Sequence, residues 1–483
     1  MTASPSAPAI VWFRQDLRLA DNPALHAALK SGRPILPVYI LDNITPGEWK
    51  MGAASHWWLH HSLEALAKSL KAIGLPLILK RGESGSVMNT LVKESGAGAV
   101  YWNRCYEPYA TVRDATIKEN LRADDIAAES YNASLLVEPW EVENAQGNHF
   151  KVFTPFWRRA VEQLLEREMK TFPYPTKANA PATLPTSDVL DEWKLLPTQP
   201  NWAEGFAHWT PGEKGAEQAL LAFTDSAIRY YRVERDFPAQ ESTSRLSPHL
   251  HFGEISPRLI WKHVYHQLDA ERIKPADAQK FLSEVGWREF SYSLLYHFPA
   301  LPQKPFQEKF AAFPWEKNDK ALLAWQRGMT GYPIVDAGMR ELWQTGWMHN
   351  RVRMIVASFL TKHLLLPWQE GAKWFWDTLL DADLANNSAS WQWVAGSGAD
   401  AAPYFRIFNP ILQGEKFDEK GEYIRRFVPE LKNMPKEYIH APWKAPEWIL
   451  KQAKVVIGKD YPAPIVNHEM ARDRALEAYK NIK

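Results

Sequence analysis

Apolar residues cluster early in the chain as short runs, at residues 10–12 and, as ILPVYIL, at 35–41, with a helix-like stretch over 22–29 between them. Residues 57–73 repeat apolar positions at helical spacing, and two further short runs follow, LPLIL at 75–79 and another at 99–102. Short strands alternating with helices predict a parallel sheet with helices on both faces, an α/β domain over residues 8–135. FRQDLRLADN (13–22) comes straight after the first strand, at the carboxyl end where such sheets bind ligands. No GxGxxG stands there, and Gly96 and Gly98 match that pattern only in part, so an ordinary dinucleotide-binding unit is not expected. Pro, Ala and Thr enrich PYPTKANAPATLPT (173–186), which marks residues 136–209 as a connector. From 210 to 483 helical periodicity dominates, at 216–231, 257–268, 276–296, 320–326, 335–345, 350–365 and 371–380, and predicts an all-α second domain.

Composition changes this picture little. The 483 residues include 57 basic and 56 acidic side chains, so bulk charge does not announce a nucleic-acid partner, although a local basic face is compatible with neutrality. The single cysteine, Cys105, excludes an internal disulfide and any multi-cysteine zinc or iron-sulfur site; no metal site is expected. MTASPSAPAIVWF does not read as a signal peptide, and no run approaches the roughly 20 apolar residues of a membrane span. A soluble, cytoplasmic protein is the expectation. The 23 tryptophans stand out: most must be packing, and a few could be redox centres or base-stacking platforms.

The chemistry concentrates after residue 240. DADLANNSASWQWVAGSGADAAPYFR (381–406) brings together Asp381 and Asp383, the amides Asn386 and Asn387, the indoles Trp391 and Trp393, and small residues at 396–398. Polar groups followed by flat rings suit a large planar ligand with polar edges, but a capped helix end with core tryptophans reads equally well. Thr243, Ser244, Arg245, Leu246 and Ser247 place three hydroxyls and a guanidinium ahead of a Pro-interrupted helix, either as a phosphate seat or as a plain cap. Glu284, Trp287 and Arg288 share a helix, with Glu284 and Arg288 at i, i+4, where a surface ion pair competes with a carboxyl beside a base-stacking indole. In WQTGWMHNRVRM, Gly346 is expected to end one helix and Asn350 to stand near the start of the next, with His349 a cap or core residue rather than a catalyst.

Taken in order, FRQDLRLADN, TSRLS, EVGWREF, TGYPIVDAGMRELWQTGWMHNRVRM, DADLANN and WQWVAGSGADAAPYFRIFNP resemble the cryptochrome/DNA photolyase family over nearly the whole chain. The resemblance implies an N-terminal antenna domain, a connector and a helical FAD domain. It implies that Tyr231 and the 243–247 segment hold the diphosphate, Asn350 and Arg353 line the flavin, Asp381 and Asp383 bracket its ribityl and ring edge, and Phe281, Glu284 and Arg288 complete the cofactor side. Asn387 matches the position facing flavin N5, where plant cryptochromes carry an acid. Trp391, Trp368 and Trp315 match the family's electron-transfer chain, and Trp343, Trp374 and Trp376 are further indoles that could branch it. Glu284, Trp287, Asn350, Met354 and Trp393 match the pocket for a flipped-out cyclobutane pyrimidine dimer, with Arg232, Arg235 and Arg406 as candidate phosphate contacts.

The implied activity is light-driven repair: reduced flavin excited by blue light lends the dimer an electron, the cyclobutane ring splits and the electron returns. Met348 ahead of His349 is unlike the His-His pair of (6-4) enzymes. The lone cysteine is unlike the iron-sulfur branch, and Trp287 with Trp393 is unlike the DASH pocket. A bacterial class III enzyme close to plant cryptochromes fits best. Glu107 matches a folate-contacting carboxylate and points to a methenyltetrahydrofolate antenna; a solvated Glu before Pro108 is the alternative. The expected partner is double-stranded DNA carrying pyrimidine dimers, and the expected state a monomer. The rivals are a blue-light receptor without repair and, from another class, a dark flavin enzyme or Trp-lined carbohydrate binder.

Overall fold

Strand β1 (Ala9–Phe13) is apolar at every position because both its faces are covered. In the computed structural model, which describes residues 7–401 and 405–482, it is the middle of a five-stranded, all-parallel sheet. The expectations touching residues 1–6, 402–404 and 483, among them the extreme N-terminal segment and Ala402, Pro403 and Tyr404 of the aromatic-rich motif, lie outside the described residues. The strand order is β3 (Ile78–Arg81), β2 (Ile35–Leu41), β1, β4 (Ala99–Asn103), β5 (Ala127–Tyr131). Successive residues of a strand point to opposite faces. Ala9, Val11 and Phe13 accordingly enter a core shared with α1 (Pro23–Lys30) and α2 (Ala53–Ala72). Ile10 and Trp12 enter a second core, shared with α3 (Ser84–Ser95) and α4 (Pro108–Ala123).

The fold class is the expected one, with local differences. The third strand begins at Ile78 rather than at 75, because Gly74 turns the chain at φ +93 and Pro76 lacks an amide donor for the ladder. β5, the edge strand, carries no apolar run (AAESY) and was not expected. The connector is not all loop: α5 (Phe153–Glu166) lies within it, with Phe153, Phe156, Ala160 and Leu164 buried on one face. The expected helix over 350–365 is two pieces, Asn350–Ser358 and a π-helical turn Phe359–His363. The stretch 216–231 likewise breaks at Ser226, after the helix Glu213–Asp225. The longest helix, Pro275–His297, starts with Pro at its first turn and is buried over most of its length. No helix among the described residues is long and apolar enough to cross a membrane.

FRQDLRLADN divides its work: Arg14 and Gln15 line a cavity at the end of the sheet, and Arg18 and Asp21 tie the sheet domain to the helical half. Arg18, 1% exposed, donates to the carbonyl oxygens of Gly253 (2.8 Å), Asp21 (2.8 Å) and Ala133 (2.8 Å). Asp21, fully buried, accepts from Ser256 Oγ at 2.5 Å and from Arg258 Nε at 3.0 Å. Trp58 of α2 donates its indole N–H to Glu254 at 3.0 Å. Four of these bonds converge on Gly253, Glu254, Ser256 and Arg258, and Gly253 is what lets the backbones meet. It sits at φ +66, and a Cβ there would lie 2.0 Å from the Gln15 carbonyl oxygen.

Gly253→Ala should lose about 1–2 kcal/mol from the left-handed backbone alone, and more from the overlap with Gln15. Gly96→Ala, also left-handed at φ +63 but with open space around its Cβ, should lose only the first part. Urea midpoints of the two variants check this; equal losses would remove the close approach as a constraint.

Candidate functional site

Between the helices of the C-terminal half lies a cavity of about 330 Å³. Its polar wall comes from the turn joining the helix Trp368–Thr378 to the helix Leu384–Ala395. Asp381 accepts from Arg353 Nη2 at 2.8 Å through Oδ2, and its buried Oδ1 has no hydrogen-bond partner. Arg353 is held in turn by the Met348 carbonyl at 2.7 Å.

Asp383 does two jobs with two oxygens. Oδ1 caps the next helix, accepting from Asn386 N (2.8 Å) and Asn386 Nδ2 (2.8 Å), so the cap reading of the sequence holds for this atom. Oδ2 accepts from Tyr292 Oη at 2.5 Å and faces His251 Nδ1 at 3.7 Å. Burial alone would raise this carboxyl; the His251 imidazole, the Arg288 guanidinium and the Tyr292 hydroxyl outweigh it and hold Asp383 down at about 2. One turn into the helix, Asn387 donates Nδ2 to the Ala372 carbonyl at 3.0 Å, which fixes the amide's orientation at the cavity wall.

The same cavity is lined on its other sides by Tyr231, Ser244, Leu246, Ser247, Phe281, Glu284, Trp287, Arg288, Asn350, Met354 and Trp391. The two groups of residues that the sequence suggested separately, one for a planar polar-edged ligand and one for stacking and base edges, thus meet in one space. Glu284 does not pair with Arg288. It forms an ion pair with Arg235, from a segment 49 positions earlier, and accepts from Lys280 Nζ at 2.8 Å. Burial opposes its charge, but these two cations win and lower its pKa. Arg288 turns the other way, donating to the Ser134 carbonyl at 2.6 Å, with its guanidinium 4.8 Å from the Tyr292 ring. Trp287 stacks on Phe153 of α5, ring centroids 3.9 Å apart at 11°.

Other expected residues stand apart from the cavity. Thr243 and Arg245 do not line it; Arg245, at φ +51, lies over the Trp347 ring at 5.1 Å. Trp393 is half-buried outside the lining and donates to the Asp400 carbonyl at 2.9 Å. Trp368 is buried and Trp315 partly buried in the apolar cluster that also contains Trp391. Arg232 and Arg406 are exposed, and Arg235 is committed to Glu284. His349 is the expected cap, accepting from Arg351 N at 3.2 Å.

Glu107 is not solvated. It is 3% exposed, accepts from Gln15 Nε2 at 2.6 Å, and turns a buried, unpartnered Oε2 toward a second cavity of about 80 Å³. That cavity is lined also by Arg14, Tyr39, Trp49, Tyr109 and Arg113, and it shares His251 and Ala382 with the first. His251 and Tyr292 were not foreseen. Neither stands in a spacing that separates a functional side chain from a packed one, and only the fold brings them to Asp383.

Two family models match: the FAD-binding domain of DNA photolyase over residues 281–481, and DNA photolyase over 9–177. The deoxyribodipyrimidine photo-lyase of Agrobacterium fabrum is 53% identical over 479 residues, 99% of this chain and 98% of that one. Cryptochrome-1 of Arabidopsis thaliana is 39% identical over 97% of this chain and 70% of its own length. The crystal structure of a bacterial class III photolyase from Agrobacterium tumefaciens superposes with a TM-score of 0.95 at 51% identity, covering 99% of this chain and 98% of that chain. With sequence, domain content and fold agreeing along its length, the chain belongs to the cryptochrome/DNA photolyase family.

Proposed function

We propose that the protein is a class III photolyase that uses light to split cyclobutane pyrimidine dimers in double-stranded DNA. The observation that carries this reading is the single cavity in which Asp381, Asp383 and Asn387 face the same space as Glu284, Trp287 and Met354. A flavin fits the donors and acceptors present. The unpartnered Asp381 Oδ1 is an acceptor waiting for an N–H, and the ionised, fully engaged Asp383 keeps the wall polar without needing a proton. Asp381, Asp383, Asn350, Arg353 and Asn387 would hold the ring system, with Phe281 and Arg288 beside it. Tyr231, Ser244, Leu246 and Ser247 would hold the diphosphate, with Thr243 and Arg245 supporting that segment. When bound and reduced, FAD supplies one photoexcited electron to the dimer and recovers it after the ring opens.

Glu284, kept ionised by Arg235 and Lys280, is an acceptor only, so its role is to take N–H bonds from the pyrimidine edges. Trp287, backed by Phe153, supplies a stiff apolar wall beside Asn350 and Met354, and Trp393, outside this lining, would meet the flipped dinucleotide as the resemblance implies. A dimer pairs and stacks poorly, so it costs less to extrude than normal bases, which begins the selection of damage. Exposed Arg232 and Arg406 suit phosphate contacts, whereas Arg235 serves the substrate side through Glu284. Trp391, Trp368 and Trp315 share one apolar cluster that runs from the cavity to a partly exposed indole, the arrangement a reducing route to the cofactor needs. Trp343 and Trp374, stacked with centroids 6.0 Å apart, support a branch. Glu107, with its unpartnered Oε2, and Arg14 and Arg113 beside it would contribute to holding a methenyltetrahydrofolate antenna, which would pass excitation energy to the flavin.

Purified protein should split a thymine dimer in duplex DNA under blue light; flavin binding without splitting would instead identify a light receptor. Glu284→Ala should lower repair about 10- to 100-fold, the worth of a hydrogen bond to a charged group of about 1.5–3 kcal/mol, with the flavin absorbance of the protein unchanged. Repair equal to the parent would remove Glu284 from the substrate site.

Trp391→Phe should abolish photoreduction of the oxidised protein while leaving dimer splitting by chemically reduced protein intact. Trp368→Phe should slow photoreduction without stopping it; complete loss in transient absorption would eliminate the branch.

A further inference from the structure

We propose that His60 and His61 of α2, with Glu64 one turn on and Asp191 from the connector, form a binding site for Zn²⁺ or a similar late first-row divalent ion. His60 is 4% exposed, yet it makes no hydrogen bond to any described residue. Its Nε2 instead points between two carboxylates, 3.7 Å from Glu64 Oε1 and 3.8 Å from Asp191 Oδ1. Both separations are too long for a hydrogen bond. They are a few tenths of an ångström beyond the ~3.3 Å that separates two ligand atoms around a tetrahedral ion with ~2.0 Å bonds.

His61 Nδ1 completes the set, 2.9 Å from Glu64 Oε2, and one ligand atom each from His60, His61 and Glu64 lies within 4.8 Å of the others. Two imidazoles and the Glu64 carboxylate form a mixed nitrogen and oxygen set suited to a borderline ion, and Asp191, whose side chain is 88% exposed and lies outside that group, would join by rotating in from beside His60. Neither histidine lines the flavin cavity or the Glu107 cavity.

What the ion would do follows from where the ligands come from. His60, His61 and Glu64 lie on a helix of the sheet domain, and Asp191 lies on the short 3-10 turn Leu190–Trp193 of the connector. That turn already rests on the sheet through Trp193, whose ring is 6.3 Å from Tyr39 and whose indole N–H donates to Asp188 at 3.1 Å. A shared ion would fasten the connector to α2 at a point where only weak His-to-carboxylate contacts now reach across.

The test uses flavin-loaded protein, treated with chelator, dialysed and titrated with Zn²⁺ by calorimetry. One equivalent should bind with a Kd in the low micromolar range and raise the unfolding midpoint by about 3 °C at a hundredfold excess over Kd. Asp191→Asn, at the surface, and His61→Gln, which keeps a side chain against Trp57, should each weaken binding at least about tenfold. Absence of saturable binding below about 100 μM, or equal binding by the His60→Ala/His61→Ala double variant, would overturn the site. Binding that Asp191→Asn leaves unchanged would overturn the bridge to the connector.

Discussion

A carboxylate taken out of water must be met by donors or cations, and that requirement at Asp383 organises the helical half. Its two oxygens reach the amide of its own helix, the Tyr292 hydroxyl on the longest helix and the His251 imidazole on the short helix Ser247–His251. Removing any one partner leaves a buried charge under-solvated, so the three segments are tied to one geometry. Asp381 repeats the device two residues earlier with Arg353, and the pair of carboxylates makes one wall of an otherwise apolar cavity polar.

The joint between the two halves follows the same rule with the sign reversed. Arg18 is a buried cation and spends its donors on backbone carbonyls from three stretches of chain, while Asp21 beside it gathers Ser256 and Arg258. Sequence placed this segment at a ligand-binding sheet end; that end of the sheet does carry a cavity, lined by Arg14, Gln15 and Tyr39, and it also meets the protein's own second half. The rule about strand ends describes where backbone groups are open, and here another part of the chain uses them.

How much was legible depended on whether the decisive partner was near in sequence. The short, wholly apolar run of β1, one of several alternating with helical stretches, gave the buried parallel sheet, and Gly346, His349 and Asp383 announced helix ends because capping is a local matter of three or four residues. Glu284 failed the same logic. The i, i+4 rule offered Arg288, but a helix face also meets its neighbours, and Arg235 wins from a distant segment. His251, Tyr292 and Phe153 were invisible for that reason: each acts only through a contact across the fold. The helix α5 was hidden differently, by Pro and Ala-rich text around it that masks one amphipathic stretch. Family resemblance recovered Glu284 and Trp287 as members of one pocket, yet not what holds them.

The side chain of His251 belongs to the walls of both cavities. Ala382 is shared in the same way, so the two chambers are parted by one imidazole and one methyl-bearing residue. Neither room can be widened at that point except at the other's expense.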